Sequence, residues 1–137
     1  MASYRIRGNS KITPVFLDTN AIFMIFEFSL NLESELTRLL GSFSIKIPIA
    51  VSHEIETIKK RGKGKQKKLA KPALQFIQRY PIYDHPMYNN ADDALFYEAG
   101  KVNAVVVTND FDLIDRLKEK QIPRIFLRGK HQLVLEM

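Results

Sequence analysis

Two short apolar runs that break off at the same kind of residue constrain the fold most. Pro14 to Leu17 (PVFL) stops at Asp18, and Ala104 to Val107 (AVVV) stops at Thr108. A strand wet on one face alternates apolar with polar side chains, whereas a strand covered on both faces is apolar throughout. Thr19 and Asn20 after the first run, and Thr108 to Asp110 after the second, supply oxygens that cap the first turn of a helix. Each run therefore reads as a buried strand passing directly into a helix, the repeating unit of a parallel sheet.

The remaining sequence continues this alternation. Ala21 to Phe26 opens one helix; Leu32, Leu36, Leu39 and Leu40 recur at helical spacing, so a second covers Leu30 to Leu40 and stops at Gly41. Ile45, Ile47, Ile49 and Val51 alternate with Ser44, Lys46 and Pro48, a strand whose ladder ends near Pro48. Ser52 is placed to cap the next helix, which holds Glu54, Ile55 and Ile58. Leu69, Ala73, Phe76, Ile77 and Tyr80 form a further helical stripe, with Pro72 kinking it or opening its second half. Pro81 to Tyr83 forms a short strand, Ala91 to Ala99 a helix closed by Gly100, and Leu113, Ile114 and Leu117 mark another helix. Arg124 to Leu127 adds a strand, and Gln132 to Leu135 either adds an edge strand or simply packs. The expectation is one α/β domain across residues 1–137, a three-layer sandwich around a mostly parallel sheet.

Composition narrows the chemistry. The chain has no cysteine and only three histidines, widely spaced, which removes thiol nucleophiles, cysteine zinc sites and a serine–histidine triad. Any metal must be held by oxygen. Ala21 to Phe26, closed by Glu27, falls far short of the roughly 20 apolar residues of a membrane span. Met1 to Ile12 carries Arg5, Arg7 and Lys11 but no apolar stretch of a secretory signal, so a cytoplasmic location and no membrane partner are expected.

The net charge of +6 is local. Lys59, Lys60, Arg61, Lys63, Lys65, Lys67, Lys68 and Lys71 place eight of the 21 basic residues within one stretch lacking any acid, and the other 124 residues sum to −2. Such a patch binds polyanions through counterion release, without sequence preference; a solvated loop and helix face is the competing reading.

Carboxylates recur where strands turn into helices, the edge at which open α/β sheets bind ligands. Asp18 follows PVFL, Glu54 follows IPIAVS, Asp92 and Asp93 follow YNNA, and Asp110 and Asp112 follow AVVVTN. Singly, each is explained as a helix cap. Together they carry a cost. Two carboxylates about 5 Å apart repel by roughly 3 kcal/mol at an effective dielectric of 20, so four converging acids approach about 20 kcal/mol before screening. Convergence then demands protonation or an intervening cation, and oxygen ligands favour Mg²⁺ or Mn²⁺.

FLDTN (Phe16 to Asn20), the Glu54 of VSHEI, ADDAL (Ala91 to Leu95) with Ala99 one turn on, and VVVTNDFDL (Val105 to Leu113) resemble the PIN-domain nucleases in order and spacing, from Pro14 to Leu127. The resemblance implies a twisted parallel sheet of four or five strands. It implies Asp18, Glu54, Asp92 and Asp110 as catalytic metal ligands, with Asp93 their neighbour and Asp112 an outer or second-metal carboxylate. Asn20 and Thr108 would orient ligands or the attacking water. It further implies endonucleolytic cleavage of single-stranded RNA by metal-activated water, with the segment Lys59 to Lys71 tracking phosphates toward the acids. A VapC-like toxin with an antitoxin partner is one branch; a ribosomal RNA-processing nuclease, which TNDFDL and the doubled aspartates resemble, is the other. A homodimer is also implied, although no apolar stripe marks its interface.

Two other readings compete. An aspartyl-phosphate phosphatase needs a second acid two residues after its nucleophile, where this chain has Asn20. A catalytically silent RNA-binding module would have no need of four acids. Phe16, Phe23, Phe26 and Phe76 read as core, whereas Tyr83, Tyr88 and Tyr97 either pack or stack on bases. His53 reads as a surface or packing residue.

Overall fold

A computed structural model describes residues 11–137; the reading of the first ten residues lies outside it. Strand β1 (Thr13–Leu17) passes into α1 (Thr19–Glu27), followed by α2 (Leu32–Leu40), β2 (Phe43–Pro48), α3 (Ile49–Arg61) and α4 (Gly64–Ile77). The chain continues through β3 (Ile82–Tyr83), α5 (Ala91–Val102), β4 (Val105–Val107), α6 (Phe111–Glu119), β5 (Arg124–Arg128) and β6 (Gln132–Glu136).

The strands form one sheet in the order β3-β2-β1-β4-β5-β6, parallel except for the antiparallel β5–β6 pair. Six strands stand where four or five were expected, because Gln132–Glu136 takes the edge option. Leu133, 1% exposed, carries the core past Leu127. Consecutive strand residues face opposite sides, yet Val15, Phe16 and Leu17, and Val105, Val106 and Val107, are all 0% exposed. Both faces of the central strands are thus covered, as continuous apolar runs require.

Three local details differ from the sequence reading. α3 starts at Ile49, so Ser52 lies inside its first turn and caps nothing; no side chain caps from Pro48. Instead the Ala50 N–H donates to His85 Nε2 at 3.2 Å, a cap supplied by a residue 35 positions away. Gly100 lies within α5, and Asn103 ends the helix in the left-handed region at φ 57°, a conformation asparagine tolerates better than most residues. α4 runs through Pro72, so the basic segment is two helical turns joined by a short break at Gly62 and Lys63 rather than a loop.

Topology decides where ligands gather. From β1 the chain adds β2 and then β3 on one side, whereas β4 and β5 extend on the other. The order reverses between β1 and β4, and such a reversal leaves a crevice at the carboxyl ends of the two strands.

Candidate active site

Asp18 and Thr108 stand at that crevice, one residue beyond β1 and β4. Pairing of the two strands places the Asp18 N–H on the Val107 carbonyl at 3.0 Å. Asp18 is the N-cap of α1 and only 4% exposed; its Oδ1 accepts from Thr19 N–H and its Oδ2 from the Thr108 hydroxyl, both at 2.7 Å. A buried carboxylate needs such partners, but two neutral donors do not compensate the charge. Burial, with the charges of Asp92 and Glu54 adding to it, pushes the Asp18 carboxyl from 3.8 up to about 7 against the lowering effect of its hydrogen bonds.

The charges of Asp92 and Glu54 act on Asp18, and that of Asp110 acts on Asp92. Glu54, on the exposed side of α3, accepts a short hydrogen bond at Oε1 from the buried Thr19 hydroxyl. Asp92, half-buried in the first turn of α5, is raised by burial, then by Asp110 and Glu54, with Arg116 opposing. Asp110 caps α6: its Oδ1 accepts from Asp112 N–H at 2.9 Å and Leu113 N–H at 3.2 Å, while its own N–H donates to Thr108 Oγ1 at 3.0 Å. The capping explanation therefore holds for Asp18 and Asp110, and the charges of Asp92 and Glu54 still act on Asp18.

The supporting residues separate. Asn20 is exposed, and its Oδ1 accepts the Asn109 N–H at 3.3 Å, tying α1 to the loop after β4. Asp93 pairs with Arg116 Nη1 at 2.9 Å, and so differs from Asp92 beside it, whose charge is felt by Asp18. Asp112 is exposed on the first turn of α6. All eight basic side chains between Lys59 and Lys71 are exposed; of these, Lys65 is paired with Glu27 at 2.5 Å. His53 is exposed on α3, consistent with a surface residue.

Sequence reasoning missed Thr19 and Arg116. Thr19 links two acids: its N–H donates to Asp18 and its hydroxyl to Glu54. Arg116 lies with its guanidinium 4.4 Å over the Phe96 ring and against Asp93, a fixed cation beside the acids. Its position five residues into α6 carries no local signal, because its partners belong to α5. Tyr83 and Tyr88 pack rather than stand free: their hydroxyls donate to the two oxygens of Glu98, which is 3% exposed and also bound by Lys101. Burial raises the Glu98 carboxyl, but these donors overcome it and hold it below the usual range.

Do these residues suit a divalent ion? Among the described residues, no three acidic or histidine side chains make a ready-formed cage. The acids nevertheless act on one another in pairs, Asp92 and Glu54 on Asp18, and Asp110 and Glu54 on Asp92. The two observations agree for Mg²⁺, which keeps several waters and takes one or two carboxylates together with substrate phosphate oxygens. An all-oxygen set with a buried, repelled carboxylate at its centre fits such an ion and does not fit a soft one.

This fold, with its acidic crevice at the β1–β4 switch point, is that of a PIN-like domain: the chain matches that family over residues 15–130 and belongs to it. Within the family it is a VapC-like nuclease by its relatives. It is 35% identical to Ribonuclease VapC4 of Methanocaldococcus jannaschii over 124 residues, 88% of this chain and 92% of that protein. It is 24% identical to Ribonuclease VapC9 of Archaeoglobus fulgidus over 129 residues, 94% and 93% of the two. The solved structure of the PIN domain endonuclease Utp24 superposes with a TM-score of 0.74 at 22% identity, covering 90% of each chain, a likeness of fold. No helix among the described residues is long and apolar enough to cross a membrane.

Proposed function

We propose that the protein is a divalent-metal-dependent endoribonuclease cutting single-stranded RNA in the cytoplasm, as the toxin component of a VapC-like pair whose antitoxin is its protein partner. The observation that carries this reading is the buried Asp18, held beside Glu54, Asp92 and Asp110 at an energetic cost that a bound cation removes. Asp18, Glu54, Asp92 and Asp110 would hold Mg²⁺ or Mn²⁺. When bound, such an ion neutralises phosphodiester charge and acidifies a water.

The chain's own residues do the rest. Thr108 and Thr19 fix Asp18 through one hydrogen bond to each oxygen, so its orientation is set before substrate arrives. Thr19 also fixes Glu54, and Asn20 fixes the loop that bears Asp110. Arg116 pairs with Asp93 and opposes, without overcoming, the burial and neighbouring acids that raise Asp92. The exposed cations of α3 and α4 attract the RNA backbone that the acids alone would repel. A homodimer belongs to this reading by family likeness. A ribosomal RNA-processing role shares the same chemistry and is favoured by the basic helical insert; association with pre-ribosomal particles separates it from a toxin, which arrests growth and co-purifies with a small partner.

The test is a cleavage panel over RNA and DNA, single- and double-stranded, with Mg²⁺, Mn²⁺ or EDTA. Metal-dependent cutting of single-stranded RNA is expected from the wild type, and none from Asp18→Asn with its fold intact. Equal activity of the two proteins removes Asp18 from the mechanism.

A further inference from the structure

Phe111 is the first residue of α6 and the immediate neighbour of Asp110, yet it is 81% exposed. Leaving a phenylalanine in water forgoes roughly 1.5–3 kcal/mol of burial, and among the described residues no aromatic ring or guanidinium stacks on it. The helix is capped by Asp110, and its buried side is supplied by Leu113 and Leu117, both 0% exposed.

The ring is also presented on a rigid mount. The Thr108 hydroxyl bonds Asp18 at 2.7 Å and receives the Asp110 N–H at 3.0 Å. Asn109 donates its N–H to Asn20 and accepts the Leu127 N–H at 2.7 Å. Asp110 holds two N–H groups of the first helical turn, and Leu113 anchors that turn in the core. Every residue between β4 and Phe111 is thus pinned, and the Cα of Phe111 lies one chain step, about 3.8 Å, from that of Asp110.

We propose that Phe111 is the stacking platform for a nucleobase adjoining the phosphodiester that is cut, and so determines where and how tightly a single strand is held. This rests on the nuclease reading above. The chemistry favours a base over other occupants. The flat apolar face of a base meets the exposed face of the ring, while the strand's phosphates are drawn by the exposed cations of α3 and α4. Base–aromatic stacking contributes about 1–3 kcal/mol per base and tolerates every base, which suits a nuclease that must seat a strand before any sequence is read. A double strand keeps its bases stacked on one another, so the platform also selects for unpaired RNA.

The chain contains no tryptophan, so Phe111→Trp places a single fluorescent reporter at the position in question. In an Asp18→Asn background, which removes cleavage, this variant is titrated with a mixed-sequence single-stranded RNA 12-mer and with a fully abasic strand of the same length. Saturable quenching by the intact strand is expected and none by the abasic strand, which offers no base in any register. In the same background Phe111→Ala and Phe111→Leu are each expected to raise the Kd for the 12-mer about 5- to 150-fold, with the melting temperature unchanged because the ring is exposed. In the cleaving protein Phe111→Ala raises KM by a similar factor and leaves kcat close to wild type.

Unchanged affinity of Phe111→Ala for the 12-mer, or an unquenched tryptophan, overturns the stacking role while leaving cleavage by the wild type untouched. A Leu variant that binds as well as Phe does the same, since an aliphatic chain cannot stack. Quenching by a partner protein and not by RNA assigns the ring to a protein interface instead and overturns the proposal. Failure of the wild type to cut any RNA, with Phe111-dependent binding intact, refutes the nuclease reading and not the platform.

Discussion

Replacing Asp18 by asparagine should stabilise the metal-free protein at alkaline pH and not at acidic pH. In the folded chain the Asp18 carboxyl titrates at about 7 instead of 3.8. Below 3.8 it is protonated in folded and unfolded chains alike and makes no difference to folding. Between 3.8 and about 7 folding takes up a proton, so stability falls as pH rises, and above about 7 the whole penalty stands. A shift of about 3 units corresponds to roughly 4 kcal/mol. Asparagine removes that penalty but offers one acceptor where aspartate offers two, and Thr108 already receives the Asp110 N–H, so about 1 kcal/mol is returned. The net gain is roughly 3 kcal/mol at pH 8, or roughly 10 °C in Tm for a chain of this size. Thermal melts in EDTA at pH 5 and pH 8 test it: wild type loses stability between them, Asp18→Asn does not, and the two converge at pH 5. Mn²⁺ at pH 8 then raises the wild type more than the variant, because the ion relieves a repulsion the variant lacks. Identical wild-type melts at the two pH values, with no gain from asparagine, refute the claim that burial and neighbouring acids act on Asp18.

Changing Lys63, Lys67 and Lys68 together to glutamine leaves the Lys65–Glu27 pair intact and should reduce the slope of log affinity against log salt by about 2 for single-stranded RNA; an unaltered slope in a filter-binding series returns the segment to a solvated helix face. Arg116→Gln removes a charge that lowers the Asp92 proton affinity, so the acidic limb of the pH–rate profile should move to higher pH, whereas loss of packing alone would lower the rate without moving that limb. Leu95→Ala, at a 0% exposed position, should lower stability by about 2–5 kcal/mol, read as a lower urea midpoint with an unchanged m-value.

Much of this molecule was legible from local pattern, because strand and helix periods are properties of neighbours in the chain. The runs at Pro14 and Ala104 became the two central strands, Gly41 closed α2 with φ 74°, and the stripe from Leu69 to Ile77 became α4. Local patterning also singled out six carboxylates after strands, of which Asp18 and Asp110 are helix caps in the fold; the choice of four among them came from the family resemblance. It misjudged caps whose partner is remote. Ser52 is the right residue type one turn too late, and the N–H of Ala50 in the actual first turn is met by His85 from across the fold.

What only the tertiary structure decided is adjacency. Asp18 and Thr108 are hydrogen-bonded across 90 residues because β1 and β4 are neighbours in the sheet, and strand order is a long-range choice that no local period encodes. The same holds for Arg116, which gains its meaning from Asp93 and Phe96 on another helix, and for Tyr83 and Tyr88, whose hydroxyls were claimed by the buried Glu98. It holds finally for Phe111: its type is visible in the sequence, but its exposure is known only once the core has been filled by others. The sequence by itself determined which segments become strands and helices and which residue types end them. The packing of those segments determined which charges must face one another, because electrostatic energy depends on distance in space and not on separation along the chain.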